Sequence, residues 1–195
     1  MRRPNSGFSL IELLLATSII ATLSVMAIPQ GLRAASDLRT REAAQYMARR
    51  LASARFQAIK RSTAHGFRFE PVGDDYRLTP VADGNRNGLR TTEVQQGIDR
   101  TLGEPELLAG HFSGVSLGLW DGVPDADGLP AGGTDGVRFG ASRLVSLNAD
   151  GSCSSGTLYI RGPARSQYAV RLLGSTGRIR LLKFDTTRGS WVALS

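Results

Sequence analysis

The sequence predicts an α+β fold in which a long N-terminal helix, membrane-spanning in its first half, packs its second half on an antiparallel β domain. Three observations carry this. Residues 8–29 read FSLIELLLATSIIATLSVMAIP, with Glu12 the only charge. Further on, Ala43, Met47, Leu51, Ala54 and Ala58 recur at three- and four-residue steps, the spacing of one helix face. From His65 the pattern changes to short alternating runs separated by Gly, Asp and Pro, the mark of strands and tight turns.

The apolar run is long enough to cross a hydrocarbon core of ~30 Å as a helix of ~20 residues. A carboxylate inside such a span costs ~2.5–3.5 kcal/mol on insertion scales, so Glu12 predicts a partner of opposite charge. Pro29 lacks an amide hydrogen and crowds the turn before it. Gly31 adds backbone freedom two residues later, and a helix break is expected at this pair. Residues 30–62 continue the helix, with Arg41, Arg49, Arg50, Arg55, Lys60 and Arg61 as polar surface around the apolar stripe. The same stripe also fits a basic helix lying on lipid. The β domain that follows favours packing against that domain.

In residues 63–195, HGFRFEP and DYRLTPV flank a Gly-Asp-Asp turn and read as a hairpin. A long polar section runs from Ala82 to about Gly110. HFSGVSLGLW (111–120) reads as a strand, and WDGVPDADGLPAGGTDG as a loop. GVRFG, RLVSLN, GTLYIRG, YAVRLLG, GRIRLLKF and SWVAL are short strands to the C-terminus.

Charge is unevenly distributed. Residues 1–61 carry ten Lys/Arg against three Asp/Glu, residues 62–137 carry five against twelve, and residues 138–195 carry nine against two. The net charge of +7 therefore conceals basic ends around an acidic middle. One cysteine, Cys153 in a Gly/Ser turn, excludes an intramolecular disulfide and reads as an unreactive thiol.

The N-terminal segment is more specific than composition. Arg2 and Arg3 precede Gly7, Phe8 follows it, and Glu12 lies near the start of the apolar helix. This resembles the processing site of type IV prepilins and type II secretion pseudopilins. The resemblance implies a leader of residues 1–7 cut after Gly7 by a prepilin peptidase, N-methylation of Phe8, and an assembly role for Glu12. The new α-amine, pKa ~7.7–8.0, is as poorly placed in lipid as the Glu12 carboxylate. Unlike charges attract far more strongly at low dielectric than in water, and in the family each Glu is taken to meet a neighbour's amine. An ordinary signal peptide would instead be cut after the apolar run. Eight Lys/Arg lie between Arg33 and Arg61, against Arg2 and Arg3 ahead of the span. That count alone would put the C-terminal side in the cytoplasm. The processing site implies the opposite: an inner-membrane anchor with residues 63–195 in the periplasm.

A second resemblance covers roughly residues 137–184. VRFGASRLVSLNADGSCSSGTLYI followed by GSTGRIRLLKF is similar to the GspH/FimT family of pseudopilins and minor pilins. It implies a pilin-like fold and a minor pseudopilin of a type II secretion system, with other pseudopilins or pilins and secreted cargo as partners. The C-terminal disulfide found in many pilins has no counterpart here. The alternative within the family is a FimT-like minor pilin of a type IV pilus that binds DNA. In a strand, Arg178 and Arg180 share a face, and with Gly177 they would form the DNA-binding segment, extended by Arg171, Lys183 and Arg188. Without a ligand, the two arginines would solvate an exposed edge.

Asp83, Asn85 and Asn87 with Gly88 sixth are spaced like the start of a calcium loop. Glu93 falls one place early for the closing acid, and Val94 holds its position. A solvated Asx turn fits better, and Asp121, Asp125 and Asp127 are other oxygens nearby. His65 and His111 have no cysteine or acid at metal-ligand spacing and are expected at strand starts. No nucleophile elbow or phosphate-binding glycine pattern occurs. The sequence therefore predicts no enzyme, no cofactor and no assigned metal. A membrane-anchored enzyme whose site forms only in three dimensions is the remaining class.

Overall fold

The computed structural model describes residues 9–194. The leader and the expected processing pair, Gly7 and Phe8, lie outside the described residues. Helix α1 (Leu10–Arg61) is followed by the hairpin β1 (His65–Val72) and β2 (Asp75–Ala82), then α2 (Thr91–Gln96), β3 (Arg100–Thr101), β4 (Glu106–Leu107) and the one-turn α3 (Leu108–His111). Next come β5 (Ser116–Leu117), β6 (Val137–Arg138), β7 (Leu144–Leu147) and β8 (Gly156–Arg161). Strands β9 (Gln167–Leu173), β10 (Arg178–Asp185) and β11 (Ser190–Leu194) complete the chain. The fold is α+β, and the strand pairs are antiparallel.

The chain divides into two compact units, one ending at Ala35 and the other running from Ser36. In the first, α1 continues through Pro29 and Gly31, so the break expected there is absent. Proline removes one intrahelical hydrogen bond, and the bonds on either side hold the helix together. Large apolar side chains of this stretch, Leu10, Leu14, Ile20, Val25 and Ile28 among them, are exposed. The polar residues between them hide their hydroxyls: Thr17, Ser18, Thr22 and Ser24 donate to carbonyls three or four residues back. By length and composition the helix is able to cross a membrane.

The second unit has two sheets. One is ordered β3-β2-β1-β7, with β4 also pairing β2, and the other β11-β10-β9-β8-β5, with β6 also pairing β8. Both sheets and the second half of α1 share a single apolar core. Ala43, Met47, Leu51 and Ala58 are fully buried in it. They meet Phe67, Phe69 and Leu147 of the first sheet and Leu158, Val170 and Leu172 of the second. Small residues in this stripe let a helix approach a sheet closely. The secondary-structure boundary near residue 62 is thus not a packing boundary, since the helix from Ser36 belongs with the sheets.

Polar contacts fix the helix on each flank. Arg50 Nη2 lies 2.9 Å from Glu106 Oε1, and Tyr46 donates to Glu106 Oε2 at 3.1 Å. On the other flank Lys183 Nζ donates to Asp37 Oδ2 at 2.8 Å. That bond chiefly holds the Lys183 ammonium above its ordinary range. Arg55 donates to the carbonyls of Gly151 and Thr176.

The stretch from Ala82 to Gly110, for which the pattern predicts no element, contains α2, two two-residue strands and the start of α3. These elements are too short to show a period. The strand expected over 111–120 is only Ser116–Leu117, and His111 ends α3 rather than starting a strand. Residues 118–135 instead form a covering loop. Its Leu119 and Val123 are buried on the outer face of the second sheet with Tyr159, Ala169 and Leu182. Tyr76 anchors the end of this loop, donating to Asp135 Oδ1 at 2.6 Å. Burial first, then that bond, pushes the Tyr76 hydroxyl up to about 12. Burial also works against the Asp135 carboxylate, but donors from Tyr76, the Val137 amide and Arg143 outweigh it and hold its pKa below the usual range.

Leu51 is the simplest test of the shared core. Leu51→Ala should cost ~2–5 kcal/mol, the usual range for a buried leucine, read as a lowered chemical-denaturation midpoint for the β-rich unit of the detergent-solubilised chain.

Candidate functional site

Glu12 sits in the first turn of α1 and is exposed. The helix N-terminus is where backbone amides leave partial positive charge and a carboxylate is best tolerated. The neighbouring Leu10, Ile11 and Leu13 are all exposed, and a lone acid is thereby presented on an apolar surface. Residues 2–28 match the family model of the prokaryotic N-terminal methylation motif. The chain carries that motif. The matched segment includes Gly7, Phe8 and Glu12. A comparison with curated proteins finds no match. Among solved structures, the minor pseudopilin EpsH from the type 2 secretion system of Vibrio cholerae is similar over 74% of this chain and 97% of that chain, with 19% identity and a TM-score of 0.47.

In the second unit, Gly177, Arg178 and Arg180 lie at the turn into β10. Gly177 has φ +59°, and a Cβ there would run into the Gly151 carbonyl and the Arg55 side chain. Glycine is therefore required on both counts. Arg178 and Arg180 are exposed on the outer face of the sheet, while Ile179 between them and Leu181 after them pack on the shared core. Among the described residues neither arginine has an ion-pair partner.

Of the three residues expected to extend this patch, only Arg171 shares the face. It lies directly opposite Arg180 on β9 and pairs with Asp127 Oδ1 at 2.7 Å. Lys183 alternates to the inner face, where it meets Asp37, because an odd step along a strand reverses the side chain. Arg188 is in the β10–β11 turn, 3.5 Å from Asp185.

The register adds a residue that sequence spacing does not show. Arg138 on β6 pairs with Thr157 on β8, Thr157 with Arg171 on β9, and Arg171 with Arg180 on β10. Three arginines thus stand in one row across four strands. Arg138 also lies over the Tyr159 ring, 5.4 Å from its centroid, and donates to the Ala131 carbonyl of the covering loop.

The residues of the calcium-like spacing bond to one another and to their own loop. Asp83 is buried. Its Oδ1 accepts the amides of Asn85 at 3.0 Å and Arg86 at 2.7 Å, and its Oδ2 that of Gly88 at 2.8 Å. Asn85 and Asn87 turn their Nδ2 groups to Glu93 at 3.0 and 2.9 Å. Asp99, missed in the sequence, is also buried and accepts the amides of Gly84 and Arg90. The oxygens are engaged with donors of the chain itself, which makes this an Asx-closed loop. The sequence signal for it, Asp and Asn before Gly, is common to both uses.

His65 starts β1, with Nδ1 2.9 Å from the Thr63 carbonyl. His111 Nε2 is 2.8 Å from Glu106 Oε2, an acid five residues away that the fold brings into contact. Cys153 is buried, and burial raises its thiol pKa, against reactivity. Asp121 contributes a backbone carbonyl to Arg165. Among the described residues no cluster of His, Cys, Asp and Glu suited to a metal is present.

Asp83→Ala would leave the amides of Asn85, Arg86 and Gly88 without their acceptor; these residues are reached by solvent, so the cost should be ~1–2 kcal/mol. Thermal melting of the wild-type chain should be the same with calcium or with a chelator. A calcium-dependent rise in Tm would show that the loop opens to a metal.

Proposed function

We propose that the chain is a minor pseudopilin, a structural subunit that takes part in protein secretion as part of a type II secretion pseudopilus. The observation that carries the reading is the methylation motif in register with Glu12, the lone acid in the first turn of an apolar helix. The GspH/FimT resemblance of residues 137–184 supports the choice of a minor subunit. On this reading a prepilin peptidase cuts after Gly7 and Phe8 is methylated. The anchor lies in the inner membrane and residues 63–195 face the periplasm. After extraction into a filament, Glu12 of one subunit accepts the Phe8 ammonium of the next. Methylation keeps that charge, and the low dielectric around the helices strengthens the pair. The stretch around Pro29 and Gly31, with one hydrogen bond fewer, is where α1 would yield on packing into a filament. Other pseudopilins and secreted cargo are the expected contacts of the β-rich unit.

Mass spectrometry of membranes that contain the peptidase should find a mature chain starting at Phe8 and bearing one methyl group. A mature chain still starting at Met1 would sink the proposal. Glu12→Leu should be processed normally yet fail to enter filaments, read by shearing and immunoblotting.

A specific observation favours a second reading. Arg178 and Arg180 project from one exposed face without a partner among the described residues, as a FimT-like minor pilin would need to grip DNA phosphates during transformation. On that reading the full chain in detergent retards a DNA duplex at low salt. Arg178→Ala/Arg180→Ala abolishes the shift, and added salt weakens it steeply. Absence of a shift at low salt removes this reading and leaves the first untouched.

A further inference from the structure

The outer face of the second sheet changes character from row to row. Tyr159, Ala169 and Leu182 form one cross-strand row, buried beneath the loop of residues 118–135. The next row is Arg138, Thr157, Arg171 and Arg180. The loop is tied over the apolar row by the Ala126 amide donating to the Tyr159 hydroxyl at 2.8 Å and by Trp191 Nε1 donating to the Pro124 carbonyl at 3.0 Å. Its middle reaches the arginines. Asp127 pairs with Arg171, Asp125 lies 4.0 Å from Arg138, and the Ala126 carbonyl is 3.4 Å from Arg171 Nη1. A cleft of about 550 Å³ opens beside these contacts, with Ser155, Thr157 and Ser175 on its walls.

Like charges directly opposite on neighbouring strands repel. Asp127 offsets this for Arg171, and Arg180 has no carboxylate among the described residues. The half of the row that is satisfied is satisfied by peptide chemistry: two carboxylates and main-chain carbonyls of one loop. Asp127 is 60% exposed, and an exposed ion pair of this kind is weak enough to exchange.

We propose that Arg171 and Arg180 form a docking site for a carboxylate-bearing segment of a protein partner, and that Asp127 is an internal competitor for it. The incoming carboxylate bridges the two guanidiniums and releases Asp127 to solvent. The partner's main chain runs along the cleft past Ser155 and Ser175. Asp125 and Asp127 border the row and repel phosphate and carboxylate alike, so a nucleic acid is the competing occupant that the experiment separates from a peptide. This goes beyond the structural-subunit reading, and its test does not depend on filament assembly.

The full chain in nanodiscs is titrated against fluorescein-labelled hexaglutamate, with fluorescence anisotropy as the readout. Binding should tighten about twofold to fivefold in Asp127→Asn, the worth of an exposed ion pair removed from competition. It should weaken about tenfold or more in Arg180→Gln, as for loss of a charge-assisted contact. Both substitutions are at exposed side chains, and unchanged melting of each variant verifies the fold. The proposal is overturned if neither wild type nor Asp127→Asn binds hexaglutamate, if Arg180→Gln binds as wild type does, or if Asp127→Asn leaves affinity unchanged. Tighter binding of a single-stranded oligothymidylate of equal charge overturns it too, in favour of nucleic acid.

Discussion

The second unit depends on one helix face narrow enough to serve two sheets. Ala43, Met47, Leu51 and Ala58 are fully buried, and the cluster around them draws residues from both sheets. Larger side chains in place of the alanines would hold the helix off, and overpacking of a close-packed interior is itself destabilising. The polar anchors follow from the same placement. Tyr46 and Arg50 reach Glu106 beside the first sheet, and Asp37 reaches Lys183 in the second. The helix stripe is thus the common element against which both sheets are set.

The first unit presents a different surface. Exposed leucines and isoleucines with a single carboxylate make sense where the surroundings are hydrocarbon. The unit's hydroxyls are turned back onto carbonyls of the same helix, and one acid stands at the helix start. That acid lies within the methylation motif matched over residues 2–28. One helix therefore follows two sets of rules, with buried small residues after Ser36 and exposed large ones before Ala35.

Local signals in the sequence are legible where they repeat within a few residues. The stripe at Ala43, Met47 and Leu51 repeats every turn, and the alternation in GRIRLLKF repeats every second residue; both are visible without a fold. Pro29 shows the limit of a residue rule: the expected break is absent because neighbouring hydrogen bonds carry the helix past one missing donor. The segment from Ala82 to Gly110 shows another, since strands of two residues have no period to detect. Asp83 illustrates a third, because calcium loops and Asx-closed turns use the same residue types and their spacing alone does not separate them.

By itself the sequence determined the apolar span with its acid, the helical stripe and most of the longer strands, because each follows from the chemistry of residues close together in the chain. Only the tertiary structure decided that Arg138, Arg171 and Arg180 share a row, that Lys183 turns inward to Asp37, and that the loop carrying Asp125 and Asp127 lies over the second sheet. Those relations join residues tens of positions apart. They are set by strand register and by which faces the core must bury, and no local pattern encodes them.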